Sequence, residues 1–142
     1  GRGASDPINS ALNYGYAILY GQVEKAVLLA GLDPYAGFVH TDRSGKPSLV
    51  LDLIEEFRQQ VVDRVIFGML GKGSEIKVND EGKLDEKTRK TIAQKFFERL
   101  DGEERYEGKK QKLRTIILKQ AQAVASFVRA DRPAYKPFVG GW

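Results

Sequence analysis

The chain has 142 residues, 42% hydrophobic and 30% charged, which suits one globular domain with a sizeable core rather than a disordered segment. It has no cysteine, so disulfides and thiolate metal sites are excluded, and it has no run of about 18 apolar residues to span a bilayer. The net charge of +4 divides unevenly: residues 1–71 hold 6 basic and 8 acidic side chains, residues 72–142 hold 17 and 11. A carboxylate-bearing half beside a cationic half fits an enzyme that holds a metal and grips a polyanion, and equally fits two solvated faces.

The opening GRGASDP lacks the pattern of a signal peptide. Asp6-Pro7 reads as the cap and first position of a helix. Apolar residues at Ile8, Leu12, Tyr16, Leu19, Val23, Val27 and Ala30 give that helix its period, and Gly31 stops it. Gly15 and Gly21 inside it each cost about 1 kcal/mol against alanine, which is tolerated where another backbone comes close. Tyr14, Tyr16 and Tyr20 read mainly as packing.

The segment from His40 to Arg58, HTDRSGKPSLVLDLIEEFR, holds the only histidine. Asp42 to Pro47 is a polar loop, and Ser48 caps a second helix expected to run to about Leu70. Its apolar stripe is Val50, Leu53/Ile54, Phe57, Val61, Val65 and Met69. Asp52 and Glu55 are three apart, hence on one helical face, and Glu56 is close enough to join Asp52. An imidazole before a helix and carboxylates in its first turns can converge on a divalent cation, with oxygen donors for Mg²⁺ or Mn²⁺ and the imidazole favouring Mn²⁺. The plain alternative is a structural histidine and a solvated acidic face, with Glu55 or Glu56 paired to Arg58 or Gln59.

Gly71-Lys72-Gly73 ends the second helix. Glu75 to Val78 alternates like a strand and Asn79 to Gly82 reads as a turn, so a short hairpin over 75–84 is expected. A third helix is expected from Asp85 to Leu100, and a fourth from Lys109 to about Ala130 with Lys109, Lys110, Lys112, Arg114 and Lys119 in its first half. Arg132 to Trp142 reads as an extended, proline-bound tail. The fold class is all-α, a bundle of about four main helices with at most one short hairpin.

Three runs carry a resemblance: Asp6-Pro-Ile-Asn-Ser-Ala-Leu-Asn-Tyr-Gly-Tyr-Ala-Ile-Leu-Tyr20, Ala30 to His40, and Gly45-Lys-Pro-Ser-Leu-Val-Leu-Asp-Leu-Ile-Glu-Glu-Phe-Arg58. With the tail pattern Tyr135-Lys-Pro-Phe138, they resemble the CRISPR-associated "Cas-one" integrases over nearly the whole chain. The resemblance implies the helical catalytic domain of such a protein, truncated at its N-terminal end, with the β-rich N-terminal domain and the first metal-ligand glutamate absent. Glu24 does not match that glutamate, and Gln59 stands where many relatives have proline, with little consequence expected.

The resemblance implies a metal-dependent DNA endonuclease and integrase that transfers foreign DNA into the CRISPR repeat array in the prokaryotic cytoplasm. It implies a homodimer acting on double-stranded DNA with a "Cas-two" adaptation partner and no membrane. His40 and Glu55 fall on metal ligands, with Asp52 as a supporting or alternative ligand, and the cofactor is Mg²⁺ or Mn²⁺. The fragment is expected to be weak or inactive. A ligand imidazole must be neutral, so metal affinity is expected to weaken below pH ~6.5. Lys46, Arg58, Lys110 and Arg114 are candidate DNA contacts. The competing expectations are a casposon-type integrase, a helical nucleic-acid-binding module without chemistry, and a scaffold that docks a partner complex.

Overall fold

A computed structural model of the chain describes residues 6–32, 48–129 and 134–140, and these are mainly helical, as expected. Helix α1 spans Pro7–Leu29. The Asp6 carboxylate accepts from the backbone N–H of Ile8 at 3.0 Å and of Asn9 at 3.3 Å, which satisfies donors the first turn leaves open. At the other end Gly31 takes φ +87°, and Leu32 N–H reaches back to the Val27 carbonyl at 3.1 Å. The buried face is Ala11, Gly15, Leu19, Val23, Ala26 and Val27. Ile8, expected on that face, is exposed. A Cβ on Gly15 would sit 3.1 Å from Val62, so this glycine admits the neighbouring helix closely. Gly21 has no such neighbour within 4 Å, and close approach does not account for it.

The second helix runs over 48–71 in three parts: α2 (Ser48–Phe57), a π-helical segment (Arg58–Asp63) and α3 (Arg64–Gly71). A π turn takes in about one extra residue, so everything beyond it is rotated by roughly 100° relative to an uninterrupted α-helix. Gln60, Val61 and Val62 are buried in succession, and the stripe then continues through Val65, Ile66 and Met69.

The stretch 75–84 narrows the expected hairpin to a single bridge between Val78 and Leu84. The Asn79 carboxamide oxygen organises the turn by accepting from Glu81 N–H and Lys83 N–H. Helix α4 spans Glu86–Leu100, and the Asp85 carboxylate caps it through Thr88 N–H at 2.8 Å.

The two-stranded sheet lies instead in β1 (Glu103–Tyr106) and β2 (Lys109–Lys112), which pair antiparallel. Glu107 and Gly108 turn the hairpin with φ +51° and +84°, the two positive values that a tight two-residue connection requires. Helix α5 therefore begins at Leu113, not Lys109, and ends at Val128. Lys109, Lys110 and Lys112 are strand residues, which corrects the helical placement expected for them.

Helix α1 packs on α5, α2 and the π segment around Leu19, Val23, Phe57, Phe96, Leu113 and Ile116. A smaller cluster of Ala11, Ile66, Met69, Leu84 and Ile92 joins α1, α3 and α4. Among the described residues no helix is long and apolar enough to cross a membrane.

Candidate functional site

The helix α2 presents two different faces. Asp52 and Glu55 are exposed and lie one turn apart on the outer side. The Glu55 carboxylate faces the Arg58 guanidinium at 3.6 Å, and both side chains are about half exposed. Arg58 also lies over the Tyr16 ring, 5.2 Å from its centroid. Burial, and then the Glu55 charge, raise the Tyr16 phenol above its ordinary value, while Arg58 opposes this. Arg58 thus holds a carboxylate, one of the two roles expected of it.

His40 and Lys46 lie outside the described residues. Among the described residues no three His, Cys, Asp or Glu side chains gather as a metal site would need. Asp52 and Glu55 contribute two exposed carboxylates, the oxygen donors that Mg²⁺ and Mn²⁺ prefer. Their chemistry fits such an ion, with the remaining donors to come from beyond α2.

Glu56 turns inward and does not join Asp52. Its Oε1 accepts from Gln120 Nε2 at 2.9 Å and from Phe138 N–H at 2.8 Å, and its Oε2 accepts from the Tyr135 hydroxyl at 2.6 Å. Gln120 Oε1 accepts from the Tyr106 hydroxyl at 2.6 Å. Gln120, 2% exposed on the apolar stripe of α5, is therefore the hub between hairpin, helix and tail. Burial, reinforced by the Glu56 carboxylate, pushes the Tyr135 phenol above its ordinary range, which keeps it a donor. The Phe138 ring stacks on Phe57, centroids 5.1 Å apart and 11° from parallel, and lies 6.4 Å from Tyr106. The extended tail thus fastens the inner side of the helix whose outer side carries Asp52 and Glu55.

A second polar group fixes the π segment. Arg99 Nε donates to the Gln60 carbonyl at 2.9 Å, and Arg99 Nη2 donates to Glu104 Oε2 at 2.8 Å. Arg64 Nη1 reaches Gln60 Oε1 and Glu104 Oε2, each at 3.2 Å. Gly140 packs on the Gln60 side chain so closely that a Cβ would come within 2.6 Å of it. Gln59, read as standing where many relatives have proline, is exposed within this irregular turn.

The remaining candidates sit elsewhere. Lys110 on β2 pairs across the ladder with Arg105. Arg114, in the first turn of α5, donates to Asp101 Oδ1 at 2.6 Å. Sequence reasoning missed Tyr106, Gln120, Gln60, Arg99 and Glu104. The one signal for them was a glutamine, Gln120, inside an otherwise apolar stripe.

Residues 1–98 match the family model described as CRISPR associated protein Cas1. The chain is 45% identical over 147 residues to a CRISPR-associated endonuclease Cas1 of Archaeoglobus fulgidus, covering 99% of this chain and 42% of that protein. It is 39% identical to a CRISPR-associated endonuclease Cas1 of Francisella tularensis subsp. novicida, covering 100% of this chain and 43% of that protein. Its structure superposes on a casposase bound to an integration product with a TM-score of 0.77 at 29% identity, covering 91% of this chain and 39% of the casposase. A Cas1 protein from Thermotoga maritima, 20% identical over 85% of this chain and 39% of its own, shares the fold with a TM-score of 0.75. The chain thus spans about two-fifths of the length of the relatives it matches. By the family model and by this identity along its whole length, the chain belongs to the CRISPR associated protein Cas1 family.

Proposed function

We propose that α2 carries the carboxylates of a divalent-metal site for DNA cleavage and strand transfer in CRISPR spacer acquisition. The observation that carries this reading is the division of labour on α2. Asp52 and Glu55 stay exposed, while Glu56, the third carboxylate of the cluster, is consumed by the tail. The names of the relatives, which are endonucleases, and the casposase held on an integration product support the same chemistry.

In this reading Glu55 and His40 hold Mg²⁺ or Mn²⁺, with Asp52 as a supporting ligand. The bound ion would supply activation of a hydroxyl nucleophile and neutralisation of charge on the phosphate. Arg58 keeps the Glu55 carboxylate oriented, 3.6 Å away and itself steadied over Tyr16. Lys46, Lys110 and Arg114 are assigned to phosphates of double-stranded DNA. The assembly is a homodimer with a Cas2 partner.

The test is strand transfer with Mn²⁺ or Mg²⁺ by a protein of the relatives' full length that carries this chain. His40→Ala and Glu55→Ala are each expected to lower the rate at least about 100-fold, as loss of a ligand or its outer support typically does. Near-normal transfer by both variants would remove the assignment.

A further inference from the structure

A groove of about 350 Å³ runs along α3 and α4. Arg64, Lys72, Lys95 and Arg99 line it, against a single lining carboxylate, Glu98. Glu104 lies beside the two arginines, bonded to both. The cations are of two kinds. Arg99 is largely buried and Arg64 is exposed, and both are anchored by Glu104 and Gln60, so their guanidinium groups are preorganised. Lys72 and Lys95 are exposed at the rim, and Lys95 makes only a long 3.9 Å contact with Glu98. The lining also includes Gly68, where an added Cβ would meet nothing within 4 Å, so the groove is open over one helical turn.

We infer that this groove binds the phosphodiester backbone of the DNA on which the protein acts. The inference rests on the DNA-processing reading above and adds a surface which that reading does not use. Fixed guanidinium groups beside mobile ammonium groups suit phosphate oxygens, which take planar forks and point charges alike. From Arg64 to Lys72 the helix rises about 12 Å, the axial length of three to four base pairs. That length suits a backbone segment better than a single small anion. Gly102 lines the groove beside the hairpin, which carries Arg105, Lys109, Lys110 and Lys112 together with Glu103, Glu104 and Glu107.

The experiment is fluorescence anisotropy of a labelled DNA duplex with the chain, over a range of salt. The double variant Lys72→Gln/Lys95→Gln should weaken binding about tenfold or more at moderate salt and reduce the slope of log K against log salt by about 1.8, or 0.9 for each lost phosphate contact. The variant Lys83→Gln/Lys90→Gln makes an equal charge change on exposed residues outside the groove and should leave the slope unchanged. An unchanged slope in the groove variant, or an equal loss in the control, overturns the inference while leaving the DNA reading in place. Absence of salt-dependent DNA binding by the unaltered chain overturns both.

Discussion

Glu55 and Glu56 are adjacent in sequence and opposite in role. One is about half exposed and faces Arg58 at 3.6 Å, and the other receives three hydrogen bonds of 2.6 to 2.9 Å from Tyr135, Gln120 and the Phe138 main chain. Successive helix residues are about 100° apart, so a buried helix edge separates such neighbours without any special device. A phenol donating to a carboxylate contributes about 1.5 to 3 kcal/mol when sheltered from water. Tyr135→Phe should therefore lower stability by about 1.5 kcal/mol, seen as a fall in Tm of several degrees. In a Glu56→Gln background the same change should cost less, about 1 kcal/mol or below, because the charged acceptor is gone while Gln120 Nε2 still donates to the Tyr135 hydroxyl at 2.8 Å. Equal costs in both backgrounds would show that the Tyr135 hydroxyl does not act through Glu56. The sequence placed Asp52 and Glu55 on one face from their spacing alone. It left Glu56 open because its partners are 64 to 82 residues away, beyond any local pattern.

Among elements, those built by local chemistry were legible and those built by tertiary contacts were not. Asp6-Pro7 and Asp85 announced the starts of α1 and α4, since a cap is a property of four successive residues. The hairpin over 103–112 was hidden. Its strands, Glu-Glu-Arg-Tyr and Lys-Lys-Gln-Lys, contain few β-formers, so the second reads as the start of the following helix and the first as no element at all. Glu107-Gly108 was the available turn signal. The π segment over Arg58–Asp63 interrupts a helix whose apolar stripe, Phe57, Val61 and Val65, keeps an ordinary helical spacing, so periodicity alone did not reveal it.

The α4 cap also sets an acid response. Hydrogen bonds from Thr88 side chain and backbone hold the Asp85 carboxyl below its ordinary value near 3.8. A carboxylate whose folded value is depressed stabilises the fold above the unfolded value, and the contribution disappears as pH falls through the folded value. Stability should drop as pH is lowered below about 4, and Asp85→Asn, which keeps an acceptor without a titrating charge, should shrink that drop in acid-unfolding curves. An unchanged acid limb in the variant would assign the loss to other groups.

For the molecule as a whole, the bundle is a mount for one helix. The helix α1 closes on the π segment at Gly15 and Val62, the tail stacks Phe138 on Phe57, and Arg99 grips the Gln60 carbonyl. These contacts fix the rotation of α2 about its axis, and with it the direction of Asp52 and Glu55. The central claim is that these carboxylates and His40 hold a divalent ion. Its most direct test is the melting temperature of the chain as Mn²⁺ is added, with Glu55→Ala and His40→Ala alongside. Binding only the folded state, Mn²⁺ at about 100 times its dissociation constant should stabilise the unaltered chain by about 2.7 kcal/mol, a rise in Tm of roughly 5 to 10 °C. At that same concentration each variant should show little or none of the rise. A melting temperature indifferent to Mn²⁺, or raised equally in all three proteins, would contradict the account.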